Sequence, residues 1–137
     1  MKFRKFIVSA CTMGFIILGT SSVYAADQIQ PRGAYSKEST YSFSRALYTE
    51  DNWVESNGVF SLYFYPTQGK SGAKLKVMLQ YKGNDGFYYY TNDERQVSST
   101  SNGNAVFSKL PSKKYRAYIY PNTTGVTYRG KVIMHWE

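Results

Sequence analysis

Apolar and polar residues alternate with a period of two through most of the chain. Leu75, Val77, Leu79 and Tyr81 interleave with Lys74, Lys76, Gln80 and Lys82. Successive side chains of a strand point to opposite faces, so this pattern predicts a strand with one face buried. Phe60, Leu62 and Phe64 alternate with Ser61, Tyr63 and Tyr65, and Tyr115, Ala117 and Ile119 with Arg116, Tyr118 and Tyr120. The last run sets Val126, Tyr128, Val132, Met134 and Trp136 on one face against Thr127, Arg129, Lys131 and His135. Weaker strands are expected over 41–48, 87–91, 95–99 and 105–110.

The breaks have turn chemistry. Asn57-Gly58, Asn102-Gly103 and Gly83-Asn84-Asp85-Gly86 separate apolar runs, and Asn and Gly tolerate the positive φ of tight hairpins. Polar stretches at 67–72 and 121–125 read as wider loops. No segment has the period of a long helix. An all-β, antiparallel β-sandwich of about 7–9 short strands follows, with a small β-barrel as the alternative. Polar outward faces favour antiparallel over parallel pairing.

The amino terminus breaks this pattern. Lys2, Arg4 and Lys5 precede an apolar run from Phe6 to Leu18, and Val23-Tyr24-Ala25 supplies small residues at a cut site. These are the parts of a secretory signal peptide, with cleavage expected after Ala25. The run is too short to span a bilayer, so no transmembrane segment is expected in the mature chain, and a secreted, extracellular protein is expected. The organisation read here is a signal peptide at 1–25, an extended arm at 26–39 without periodicity, and one sandwich domain at 40–137. Cys11 is the single cysteine and lies in the leader, ahead of most of the apolar run, which is the wrong place for a lipid anchor. The mature chain is then cysteine-free and held by its core alone.

Composition adds an aromatic surplus: 14 Tyr, 8 Phe and 2 Trp make up 18% of the chain. The net charge is +8, of which the leader holds the three cations Lys2, Arg4 and Lys5. The remainder is spread out and falls short of a nucleic-acid footprint.

Catalytic chemistry is sparse. His135 is the only histidine and sits near the terminus on the polar face, so neither a histidine-based triad nor a histidine zinc site is expected. Glu50, Asp51 and Glu55 cluster around Trp53 and are the one route to a glycosidase pair. Oxygens near Asp85 or Asp93 lack the spacing of a calcium loop. Gly69-Lys70-Ser71 resembles the end of a phosphate loop, but Phe64 stands where the first glycine belongs. No cofactor and no metal are assigned.

Tyrosine therefore dominates the functional reading. The run Phe87-Tyr88-Tyr89-Tyr90 must aim rings at both faces of its strand, and Tyr63, Tyr65, Tyr118 and Tyr120 oppose their strands' apolar sides. Tyrosine and tryptophan bury large area at low entropic cost and tolerate water when unbound. The expected contact surface is Trp53, Tyr63, Tyr65, Tyr88, Tyr90, Tyr118 and Tyr120 with Lys74, Lys76 and Arg116. It fits a non-enzymatic binding module for a bacterial cell-wall or extracellular glycan. The alternative is a secreted protein-interaction factor (inhibitor, toxin component or antimicrobial), and the third reading is a small carboxylate-dependent glycosidase.

Overall fold

The computed structural model describes residues 15–17 and 34–137. The basic start, Cys11, the cut after Ala25 and the first part of the arm lie outside the described residues. Ten strands lie among the described residues: β1 (Phe15–Ile17), β2 (Tyr35–Phe43), β3 (Leu47–Tyr48), β4 (Asn52–Val54), β5 (Gly58–Gln68), β6 (Lys74–Lys82), β7 (Tyr88–Ser98), β8 (Gly103–Leu110), β9 (Lys113–Pro121) and β10 (Tyr128–Trp136). They form two antiparallel sheets, a first of order β1-β2-β10-β5-β8 and a second of order β3-β9-β6-β7. β4 also pairs with β9, on the edge that β3 uses. The fold is a β-sandwich. β1 falls within the predicted leader and pairs with β2 through Phe15↔Tyr41, Ile16↔Thr40 and Ile17↔Ser39.

The alternating residues fill the space between the sheets. Phe60, Leu62 and Phe64 meet Leu75, Val77, Leu79, Tyr115, Ala117 and Ile119 there, together with Val132, Met134 and Tyr128, all essentially inaccessible to water. Apolar burial on this scale is the main driving force, at roughly 25 cal/mol per Å² removed from water. Tyr115 and Tyr128 are buried with their hydroxyls donating to the carbonyls of Pro111 and Thr123, both at 2.7 Å. Burial of these phenols therefore leaves no orphaned donor.

Two expectations need correction. The chain at 35–39, read as loose arm, is strand: β2 begins at Tyr35 and pairs with β10 along its whole length. Its inward positions are Tyr35, Lys37, Ser39, Tyr41 and Phe43, so polar residues masked the alternation. Lys37 is tolerated because its ammonium meets Glu50 at 2.8 Å across the gap between the sheets. Secondly, the segments at 87–91 and 95–99 are one strand. In β7 the residues Thr91 to Asp93 oppose Leu79 alone, a bulge held by Thr91 Oγ1 donating to the Leu79 carbonyl at 3.0 Å. Asn92 takes φ 69° at its crest. Two extra residues keep the side-chain parity, so Tyr88, Tyr90 and Glu94 all face outward.

β7 and β8 lie in different sheets and meet at the turn 99–102. Arg95 closes that corner, its Nε donating to the Val106 carbonyl at 3.1 Å and its guanidinium lying 4.8 Å from the Phe107 ring centroid.

Candidate functional site

The outer face of the second sheet gathers most of the aromatic and cationic residues expected to be outward. Because Tyr115, Ala117 and Ile119 of β9 turn inward, Lys114, Arg116, Tyr118 and Tyr120 turn outward. Pairing then sets the neighbours. Tyr120 sits beside Lys76, Tyr118 beside Met78 and Arg116 beside Gln80 on β6. Gln80 in turn sits beside Tyr90, and Lys82 beside Tyr88, on β7. On the other side of β9, Tyr48 pairs with Tyr118 and Trp53 with Lys114.

The rings stand in a row. Tyr118 is stacked between Tyr48, at 4.8 Å between centroids, and Tyr120, at 5.1 Å, with the edge of Tyr90 at 6.3 Å. Both faces of Tyr118 are therefore occupied by other rings. Offset stacking of this kind adds about 0.5–1.5 kcal/mol per pair beyond area burial. Burial raises the pKa of Tyr118, and the neighbouring phenols Tyr48, Tyr90 and Tyr120 push it further. Burial also raises that of Tyr120, followed by Glu94, which accepts its hydrogen bond. These phenols stay neutral donors at physiological pH.

Arg116 is the centre of the face. Its guanidinium lies 3.5 Å from the Tyr88 ring centroid and 4.3 Å from that of Tyr48. Its Nε donates to Gln80 Oε1 at 2.7 Å. Tyr88 donates its hydroxyl to Asp51, and Lys82 stands 4.0 Å from the same carboxylate oxygen. Burial, then the Asp51 hydrogen bond and charge, push the Tyr88 phenol up to about 12, against the opposing charge of Arg116.

A local irregularity delivers Asp51 to this position. The backbone N–H of Ala117 donates to Thr49 Oγ1 at 2.9 Å, while Thr49 N–H donates to the Ala117 carbonyl at 3.0 Å. One rung of the ladder is thus completed by a side chain, and residues 49–51 lift away between β3 and β4. Glu50 turns to Lys37 and Asp51 to Tyr88. Each of these two carboxylates thus has its own partner. Burial raises the Glu50 carboxyl above its usual range despite the hydrogen bond and charge of Lys37.

Of the residues expected at the surface, Trp53, Tyr88, Tyr90, Tyr118, Tyr120, Lys76 and Arg116 share this face, with Lys74 at its end. Trp53 and Tyr90 are the most open of its rings, 40% and 48% exposed. From the register they lie about 16 Å apart, three strand spacings across and two residues along. Tyr63 and Tyr65 do not join them. They point outward from β5 of the first sheet, on the opposite side of the molecule, where Lys131 lies 5.2 Å from the Tyr65 ring. Tyr48, Asp51, Gln80 and Lys82 complete the face; the sequence set Gln80 and Lys82 on a polar strand face and Asp51 among candidate acids, and only Tyr48 had no role there. The turn acids are engaged locally: Asp85 accepts from Phe87 N–H and the Tyr89 hydroxyl, and Asp93 pairs with Arg95. No group of three or more metal-ligating side chains occurs among the described residues. No helix there is long and apolar enough to cross a membrane.

No protein-family model matches the chain, and no curated protein sequence matches it. Solved structures with a similar backbone include the CBM22-1 xylan-binding domain of Paenibacillus barcinonensis Xyn10C. That match has 14% identity and a TM-score of 0.45, covering 91% of this chain and 86% of that one. A non-crystalline cellulose specific carbohydrate-binding module, CBM28, gives 11% identity and 0.39, with 88% and 83% covered. The structure of infectious bursal disease virus Gt strain gives 10% and 0.44, and this chain spans only 38% of the viral chain's length. Likeness at this level carries no functional argument.

Proposed function

We propose that the chain is a secreted, non-enzymatic binding module that holds a glycan or cell-envelope polymer on the outer face of its second sheet. The observation that carries this reading is the convergence of Trp53, Tyr48, Tyr88, Tyr90, Tyr118 and Tyr120 with Lys76, Lys82, Lys114 and Arg116 on one face. Tyrosines that merely suit an exposed strand have no reason to collect on one sheet or to clamp an arginine.

The geometry supports one arrangement of the ligand. Stacking consumes the flat sides of Tyr118, so a sugar chain meets ring edges and phenol hydroxyls along the middle of the row. Trp53 and Tyr90 offer open ring surface towards the two sides. The stacked rings are held upright before binding, which lowers the ordering cost of association. Hydroxyl-rich polymers suit such a surface, because every phenol both donates and accepts a hydrogen bond.

The test is binding of the full chain to purified cell-wall material and to a glycan array at low salt. Retention that is lost in Trp53→Ala and Tyr90→Ala, with Tyr65→Ala as an unaffected control, supports the proposal. No retention on any saccharide surface sinks it, and recovery of one defined protein in its place favours the interaction-factor alternative.

A further inference from the structure

Arg116 is held more firmly than a surface arginine needs to be. Its guanidinium lies over two rings, with Cζ 3.5 Å from the Tyr88 centroid and 4.3 Å from that of Tyr48, and its Nε is fixed on Gln80 at 2.7 Å. A guanidinium has five N–H donors, so four remain on the two terminal nitrogens. Among the described residues those nitrogens meet no acceptor within hydrogen-bond reach and no carboxylate within ion-pair distance. The acids that share the face are already engaged. Asp51 is taken by Tyr88 and Lys82, and Glu94 accepts from Tyr120. The acids of the face are thus spoken for, and none lies within ion-pair distance of Arg116.

A fork with its plane fixed and its terminal donors open is built for a two-oxygen anion. Arginine binds carboxylates and phosphates through two parallel N–H···O bonds, and these charge-assisted bonds are the strong ones. Fixing the plane beforehand removes the rotamer entropy that a free arginine loses on binding. Lys76 and Lys82, 5.9 and 5.8 Å from the Tyr120 and Tyr88 rings, add positive potential to either side.

Resting on the glycan reading above, we infer that the polymer is acidic and that Arg116 grips one oxyanion substituent, a uronate carboxylate or a backbone phosphodiester, end-on between Tyr48 and Tyr88. Neutral stretches of the same chain lie along the tyrosine row on either side.

The experiment compares the full chain on three immobilised polymers: a polyuronate, a phosphodiester-linked glycan and an uncharged glucan. The expected result is tighter binding to one or both acidic polymers. Arg116→Lys keeps the charge but not the fork, and should lose about tenfold more on the acidic polymers than on the glucan. The two acidic arms separate the carboxylate from the phosphodiester. In the unmutated chain, the preferred polymer should also shield Arg116 from a dicarbonyl reagent, read by peptide mass, which needs no variant to fold. Equal affinity for acidic and neutral polymers, or modification of Arg116 unaffected by the acidic polymer, overturns the inference while glycan binding stands. Binding to none of the three removes the glycan reading itself.

Discussion

The hydroxyl of Tyr41 lies 2.6 Å from the point where a β-carbon at residue 130 would stand. The carbonyl oxygen of Tyr65 is equally close, and Pro66 Cα is 2.7 Å away. Gly130 is therefore what lets β10 sit between β2 and β5 at the point where its register with β5 shifts. Two of the three obstacles depend on backbone that cannot step aside. Gly130→Ala should cost about 2 kcal/mol or more in a urea titration. Tyr41→Phe should go the other way. That hydroxyl is buried without a hydrogen-bond partner among the described residues, so its removal should leave stability unchanged or raise it by about 1 kcal/mol.

Alkaline pH tests the same side chain. Burial pushes the Tyr41 phenol from 10.0 up to about 12. The folded state holds its proton more tightly than the unfolded one. The associated stability is complete below pH 10 and is lost as pH rises from 10 through about 12. Melting temperatures of the unmutated chain should fall across that window, and the fall should be shallower in Tyr41→Phe. Parallel curves would mean that the phenol is hydrated.

Lys37 and Glu50 bridge the two sheets at 2.8 Å, with side chains only 12% and 16% exposed. Lys37→Met leaves a mostly buried carboxylate alone, and should cost about 2–3 kcal/mol at neutral pH. Burial already raises the Glu50 carboxyl above 4.5, so in this variant protonation comes more easily still. The loss should shrink as pH falls through the raised pKa and nearly vanish below 4.5. Paired denaturation curves at neutral and acid pH check the sign.

Binding should map to one sheet. Trp53→Ala and Tyr90→Ala should each weaken polymer binding about tenfold with little change in melting temperature, because both rings are open to water. Tyr63→Ala and Tyr65→Ala should leave binding intact. Equal losses at all four positions would place the ligand elsewhere.

The two ends of the domain should differ in their tolerance of deletion. β10 lies between β2 and β5, and its Val132 and Met134 are fully buried. Each contributes roughly 1.5–3 kcal/mol, against a stability of about 5–15 kcal/mol for a domain of this size. Deleting 132–137 should leave the chain unfolded by circular dichroism. Among the described residues, deleting 26–36 removes the first two residues of β2 and the stack of Tyr35 on Trp136 at 5.8 Å. That should lower stability by about 1 kcal/mol.

The core was legible because burial is written locally. Leu75, Val77 and Leu79 declare their strand without reference to any other part of the chain. The face was legible only in part, because strand order is not a local property. Tyr63 and Tyr65 have the same alternation as Tyr118 and Tyr120, yet β5 and β9 belong to different sheets and face opposite ways. The clamp on Arg116 joins Tyr48, Gln80 and Tyr88 from three further strands, and no spacing along the chain encodes that meeting. Asp51 arrives through a ladder rung completed by the Thr49 side chain, which no propensity scale anticipates. Lys37 and Ser39 hid the start of β2 by placing polar groups at inward positions.

The two tryptophans sit in separate optical environments. Trp53 is half open on the outer face, whereas Trp136 packs against the core beneath Tyr35. Emission from the first reports what settles on the surface, and emission from the second reports the integrity of the terminal strand. Replacing Trp136 with phenylalanine silences the structural signal and leaves Trp53, beside Lys114 on the outer face, as the one tryptophan, so ligand titrations need no attached dye.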